Sequence, residues 1–417
     1  MSAPGIEQRL PGLLREAPVP GATEAERRGH AVVAAAFAER GEADRLPVSA
    51  EAPRGRPASL PRLALGLLIA ALAAALLLSP AGASVRHWVG DVFTDNAPKA
   101  HPGLTAIPGG GRLLVQSADG PWVVQADGSR RLLGDYSEAT WSPHGLFVGT
   151  ASGRTLNAVE PDGTPHWTLN APGPVTDPRW WAGKYRIAYR AGNELRVVAG
   201  DGSGDHLLAR GTAPVAPVWS PTGLRQLAFV EGGVSRPPRL TFADAESGAP
   251  LDSAAALPST FKIEWADPVH GLLEVSRSVL RIRALQLGEN GAIAIQGSTR
   301  LPSPGGRIED ASVAPAGDRV AVVARLGHGE RTRSSVLLYE GDAGPRRLLT
   351  LPGRLSQVVF SPDSRRLLVA WPDADEWLFV PVGKGQPQAV GDVSAAFAPG
   401  SKGAVAFPTV EGWCCAR

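Results

Sequence analysis

Trp141-Ser142-Pro143-His144-Gly145 runs directly into Leu146-Phe147-Val148-Gly149-Thr150: an aromatic residue, a proline–glycine turn and a short apolar run. The order returns at Trp219-Ser220-Pro221-Thr222-Gly223, ahead of QLAFV (226–230), and at Phe360-Ser361-Pro362-Asp363-Ser364, ahead of RLLVAW (366–371). Weaker copies stand at Trp181-Ala182-Gly183, Trp265-Ala266-Asp267-Pro268, Val313-Ala314-Pro315-Ala316-Gly317 and Phe397-Ala398-Pro399-Gly400, with a degenerate first copy at Ile107-Pro108-Gly109-Gly110. Successive copies are separated by intervals from the mid-thirties to the high forties. Repeats of that length, each holding several strands, are the mark of propeller blades.

The chemistry of the repeat supports this reading. The aromatic residue ends an inner strand and packs between neighbouring blades. Proline and glycine then turn the chain sharply out of that strand. The strand that follows is apolar on both faces because both are covered. Asp-Gly pairs at Asp119-Gly120, Asp127-Gly128, Asp162-Gly163 and Asp201-Gly202 mark hairpins. Near the start of the repeats, RLLVQS (112–117), WVVQA (122–126) and RRLLG (130–134) read as three successive strands of one blade.

These W-S-P-x-G boxes resemble the TolB/WD40-like β-propeller repeats of bacterial envelope proteins, over about residues 104–408. The resemblance implies an all-β propeller of about seven four-stranded blades. Eight boxes are visible, but only ten residues follow Phe407, too few for a whole blade. Seven blades are therefore expected, the C-terminal strands completing a blade begun near residue 104, with eight blades as the alternative. One outer stretch, Glu160-Pro161-Asp162-Gly163-Thr164-Pro165-His166-Trp167, resembles a quinoprotein-type repeat, but it occurs once and supplies no quinone site.

The composition agrees with a large β domain. Hydrophobic residues make up 43% of the 417, enough to bury a sizeable core, and the net charge of +2 gives no electrostatic case for nucleic acid. The 49 glycines and 38 prolines fall mostly between short apolar runs, where turns need them. Arginine far outnumbers lysine, which reads as the codon bias of a GC-rich bacterial genome. Cys414 and Cys415 match no zinc spacing and form no disulfide framework. They read as two half-exposed thiols on a tail, with a vicinal disulfide in an oxidising compartment as the alternative.

The first hundred residues differ in kind. Leu63 to Leu78 reads LALGLLIAALAAALLL, and no charge occurs between Arg62 and Arg86. A bilayer-spanning helix needs about 20 apolar residues, so residues 61–83 are expected to be a transmembrane helix. Arg45, Arg54, Arg56 and Arg62 precede it, whereas Arg86 and Lys99 follow it beside Asp91 and Asp95. The more cationic flank stays in the cytoplasm, which places the N-terminus inside and the propeller outside. Ala81-Gly82-Ala83 has the form of a signal-peptidase site, but about sixty residues precede the apolar run, so an uncleaved anchor is expected.

Residues 1–60 read as a cytoplasmic tail. Thr23 and Glu26 have capping-box spacing ahead of a helix to about Arg40, and a Pro/Arg-rich tether follows. The layout resembles that of single-pass anti-sigma regulators. Their zinc-bearing class needs a His followed by Cys-x-x-Cys, which His30 lacks. Residues 84–101 read as a juxtamembrane stalk, or as a short interfacial helix with Trp88 and Phe93 at the membrane surface, and 102–417 as the propeller.

No catalytic motif is present: no G-x-S-x-G, H-E-x-x-H, Walker A loop or dinucleotide fingerprint. The eight histidines are scattered and none pairs with another at metal-ligand spacing. The Asp-Gly acids are turn formers without the alternating carboxylates of a calcium loop. No cofactor or metal is expected. Trp141, Trp181, Trp219 and Trp265 read as blade packing, and Trp180 is the candidate ligand-binding residue, placed to face the central channel. The function expected is a non-catalytic binding or scaffold module for a protein, peptide or glycan. A signal relay through a cytoplasmic partner of residues 1–60, or an enzyme with a channel-mouth site, is the alternative.

Overall fold

A computed structural model describes residues 103–415, apart from 182–184, 222–224, 234–235, 268–270, 289–290, 342–343 and 400–404. The tail at 1–60, the anchor at 61–83 and the stalk at 84–101 lie outside the described residues. Among the described residues no helix is long and apolar enough to cross a membrane.

The first three strands are β1 (Arg112–Ser117), β2 (Gly120–Val124) and β3 (Arg130–Leu132). Blade two is β4 (Glu138–Trp141), β5 (Val148–Ser152), β6 (Thr155–Val159) and β7 (Pro165–Asn170). Blade three is β8 (Val175–Trp181), β9 (Arg186–Ala191), β10 (Glu194–Ala199) and β11 (His206–Arg210). Blade four is β12 (Val218–Trp219), β13 (Gln226–Gly233), β14 (Arg236–Asp244) and β15 (Pro250–Ala255). Blade five is β16 (Lys262–Asp267), β17 (Gly271–Val275), β18 (Leu280–Leu287) and β19 (Ile293–Arg300). Blade six is β20 (Arg307–Val313), β21 (Arg319–Leu326), β22 (Arg333–Glu340) and β23 (Arg346–Pro352). Blade seven is β24 (Gln357–Phe360), β25 (Arg366–Trp371), β26 (Glu376–Pro381) and β27 (Gln388–Val390). A one-turn helix α1 (Val393–Ala396) leads to the last strand, β28 (Thr409–Cys414).

β28 does not begin an eighth blade. It pairs antiparallel with β1, giving the sheet order β28-β1-β2-β3, so blade one takes its inner strand from the C-terminus. The described residues form an all-β propeller of seven four-stranded antiparallel sheets, and the eight-blade alternative is excluded. The buried apolar side chains fall into seven clusters, each shared by two neighbouring blades. The core is thus a ring of interfaces. Trp181 of blade three stacks on Trp219 of blade four, with ring centroids 5.2 Å apart.

The boxes at Trp141 and Phe360 are turns closed by a buried serine. The Phe147 N–H donates to Ser142 Oγ at 2.8 Å, and the Arg366 N–H to Ser361 Oγ at 2.9 Å. In both, the backbone N–H of the serine bonds back across the turn, to Phe147 O and Arg366 O. Asp127-Gly128, Asp162-Gly163 and Asp201-Gly202 fall between β2 and β3, β6 and β7, and β10 and β11, while Asp119-Gly120 leads the turn after β1 into β2, Gly120 being its first residue.

Two of the eight boxes have other roles. Phe397 follows α1 and opens no blade. It packs 5.9 Å from Trp122 and 5.3 Å from Trp377, filling the seam between blades one and seven. Ile107-Pro108-Gly109-Gly110 does form a turn, with the Gly110 N–H donating to Ile107 O. Its aromatic partner is Trp413 on β28, whose Nε1 donates to Gly110 O at 2.9 Å. Blade one's box is therefore divided between the two ends of the chain. Cys414 ends β28 rather than lying on a tail, and it is joined to Cys415 by a disulfide.

Candidate binding site at the channel mouth

Inner strands of a propeller surround a central channel, and here its volume is about 540 Å³. Aspartate, arginine, lysine and glutamate line it through Asp177, Arg179, Lys262, Glu264, Asp310 and Glu411. Polar contacts around it tie one blade to the next. Glu138 of blade two accepts the Asp177 N–H of blade three. The Trp219 Nε1–H of blade four donates to Arg179 O of blade three at 2.8 Å. Lys262 of blade five pairs with Asp310 of blade six at 3.1 Å, and Asp310 accepts the Val358 N–H of blade seven at 3.0 Å. Gln357 of blade seven both donates to and accepts from the Val410 backbone at 2.7 Å, fastening the closing strand.

The electrostatics follow from this crowding. Burial pushes the Glu138 carboxyl above its ordinary value, and the charges of Asp177 and Glu411 add to the rise. Burial also pushes Glu264 up, despite Lys262 nearby. Burial alone would pull the Lys262 ammonium down, but Asp310 and Glu264 hold it above its ordinary value.

Above the channel, on the side of the boxed turns, blades three to six leave a cleft of about 420 Å³. Its walls are Trp180, Trp181, Trp219 and Trp265 with Pro217, Pro221 and Pro315, and its charged residues are Arg179 and Glu264. Both line the channel as well, so cleft and channel share them.

Trp180 lines this cleft and not the channel. A bulge in β8 between Thr176 and Arg179 resets the strand, and Arg179 takes the channel position. The Trp180 indole turns onto blade two, where Gly149 admits it: a Cβ at Gly149 would stand 2.7 Å from Trp180 Nε1. Trp141, Trp181, Trp219 and Trp265 pack between blades as expected.

The histidines within the described residues serve local ends. His206 bridges Gly204 O and Ala245 O at 3.0 Å, and His166 packs against Phe147 at 4.9 Å. Among the described residues no three His, Cys, Asp or Glu side chains are grouped to hold a metal ion. Arg346 and Arg347 lie exposed on β23, the outer strand of blade six, and Arg331 and Arg333 are exposed at the turn into β22. Sequence reasoning did not find Arg179, Lys262, Glu264 or Asp310. They stand on three different blades, and no local motif joins them.

No protein-family model and no curated protein matches the chain. Several solved structures are similar over most of their own length. A chain of a mitotic checkpoint complex is 17% identical with a TM-score of 0.48, covering 70% of this chain and 99% of that one. The Cps50 (Swd1) β-propeller domain of Myceliophteria thermophila is 14% identical with a TM-score of 0.49, covering 66% and 94%. A candidate 6-phosphogluconolactonase from Bacteroides uniformis is 13% identical with a TM-score of 0.48, covering 68% and 95%. At these identities nothing of what those proteins do passes to this chain.

Proposed function

We propose that the chain is a single-pass membrane protein whose propeller, of the TolB/WD40-like kind, lies outside the cytoplasm and holds a protein, peptide or glycan partner on the face of the boxed turns. The observation that carries this reading is the build of that face. Seven blades interlock around the channel through cross-blade bonds and shared cores, so the turns and the cleft between them sit on a rigid ring. A preorganised surface lowers the ordering cost of association. The apolar run at 61–83, with arginines on its N-terminal side, supports the anchor and its direction.

The test uses the full chain in cells, with a photo-crosslinking residue placed in turn at two exposed positions. His144 lies on the turn face and Ser298 on the outer strand of blade five. A discrete crosslinked species from His144 and none from Ser298 supports a partner on the turn face. Crosslinks from neither position overturn the binding reading.

A further inference from the structure

The cleft above the channel holds one cation and one carboxylate in a wall that, Ser220 aside, is apolar. Arg179 makes no ion pair among the described residues, and its NH1 donates only to the neighbouring Pro178 O at 2.8 Å. Glu264 accepts the Val313 backbone N–H, its Oε2 has no hydrogen-bond donor, and its nearest ion pair is Lys262 Nζ at 3.8 Å. Lys262 itself sits closer to Asp310, at 3.1 Å. No ion pair joins Arg179 to Glu264, although both line the same 420 Å³ cleft. The two are near enough to attract each other but are not bonded together, and an apolar wall raises the cost of leaving their bonding capacity unmet.

The charge count limits what fits. A simple anion would meet Arg179 but face the Glu264 carboxylate in the same cleft. A simple cation would meet Glu264 but leave Arg179 unmatched beside a like charge. A molecule carrying both charges answers each and brings no net charge into the channel. The tryptophan and proline walls give room for an apolar arm, and the volume lies in the range of about 300–1,000 Å³ usual for small-molecule sites.

We propose that this cleft binds a small zwitterion of the α-amino-acid type with a large apolar side chain. The carboxylate lies on the Arg179 guanidinium, in the planar geometry that guanidinium groups favour. The ammonium lies at Glu264, and the apolar arm lies against Trp180, Trp219 and Pro315. This inference is independent of the macromolecular partner proposed above, because His144 lies outside the cleft and either reading can fail alone.

The test is calorimetric titration of the full chain with four probes. L-phenylalanine carries both charges and the arm. 3-Phenylpropionate lacks the ammonium, phenethylamine lacks the carboxylate, and glycine lacks the arm. L-phenylalanine is expected to bind, and each of the other three to bind about tenfold more weakly or less. In Arg179→Gln, phenylalanine should fall to the level of phenethylamine while phenethylamine itself does not weaken. In Glu264→Gln, phenylalanine should fall to the level of phenylpropionate while phenylpropionate does not weaken. Both side chains are partly open to solvent, and unchanged melting temperatures would show that the ring is intact. Absence of heat from phenylalanine at millimolar concentration overturns the proposal. So does equal affinity for phenylalanine and either singly charged probe, or a loss in both variants that ignores which charge the probe carries.

Discussion

Glu274 has no solvent access, yet each oxygen is occupied. Oε1 accepts the Leu257 N–H and the Thr260 hydroxyl, and Oε2 accepts Arg283 Nε and NH2 at 3.1 and 3.0 Å. Arg283 also reaches Ala255 O, so one ion pair on blade five holds the end of blade four. Glu274→Ala should cost about 3–5 kcal/mol, since a buried guanidinium then loses its partner. The double variant Glu274→Leu/Arg283→Met should recover much of that loss. Denaturant unfolding of the three proteins measures both terms, and a double variant no better than the single would show that packing, not charge, dominates. A second residue-scale expectation concerns Gly149. Alanine there meets Trp180 Nε1 at 2.7 Å and Thr140 Cγ2 at 3.2 Å, so Gly149→Ala should destabilise by about 1–3 kcal/mol. The displaced indole should shift tryptophan emission; unchanged emission and stability would contradict the packing described for Trp180.

At the scale of elements, the hairpin turns make stability depend on acid. Asp127 is held below the usual carboxylate range by the Ser129 hydroxyl and N–H, Asp162 by the Thr164 N–H and hydroxyl, and Asp201 by the Ser203 hydroxyl and N–H. A carboxylate with a lowered folded value contributes stability that is fully present above its unfolded value, about 3.9. That contribution is lost as pH falls through the folded value. Unfolding midpoints should therefore drop below about pH 4, and Asp201→Asn should flatten part of the drop. A profile identical to the parent's would remove Asp201 from the account. The closing strand is the other decisive element. Truncation before Thr409 strips β1 of one of its two partners and opens a strand edge. The truncated chain should lose cooperative unfolding and scatter light as it aggregates; a monomer with an unchanged melting temperature would show that ring closure does not need β28.

What could be read beforehand follows the same division of scale. The boxes at Trp141, Trp219 and Phe360 announced their turns because aromatic, serine and proline are contiguous and act within one turn. Seven blades followed from counting what the chain end could hold. Trp413 escaped notice because its proline and glycines stand some three hundred residues earlier, across the ring closure. Phe397 misled because Phe-Ala-Pro-Gly has the local chemistry of the box, and only the seam between Trp122 and Trp377 gives it another role. The channel charges depend on strand register: Asp177-Pro178 marks a break within β8, but not that the bulge there exchanges Trp180 for Arg179.

For the whole molecule, placement decides which partners the ring can meet. The apolar run at 61–83 holds eight leucines and one isoleucine between Leu63 and Leu78. Each contributes about −0.3 to −0.6 kcal/mol to insertion at the helix centre, against about +2.5 to +3.5 for an arginine there. Leu72→Arg, at the middle of the run, should therefore release the chain from the membrane fraction in whole or in large part. Leu72→Ile should leave it in place. Tags at the two ends then fix direction: on intact spheroplasts, protease should remove the C-terminal tag and spare the N-terminal one. Protection of the C-terminal tag would put the propeller in the cytoplasm and move the search for its partner there. Unaltered retention of Leu72→Arg would mean that the run is held by protein contacts and not by lipid, because a single central arginine opposes most of what the leucines supply.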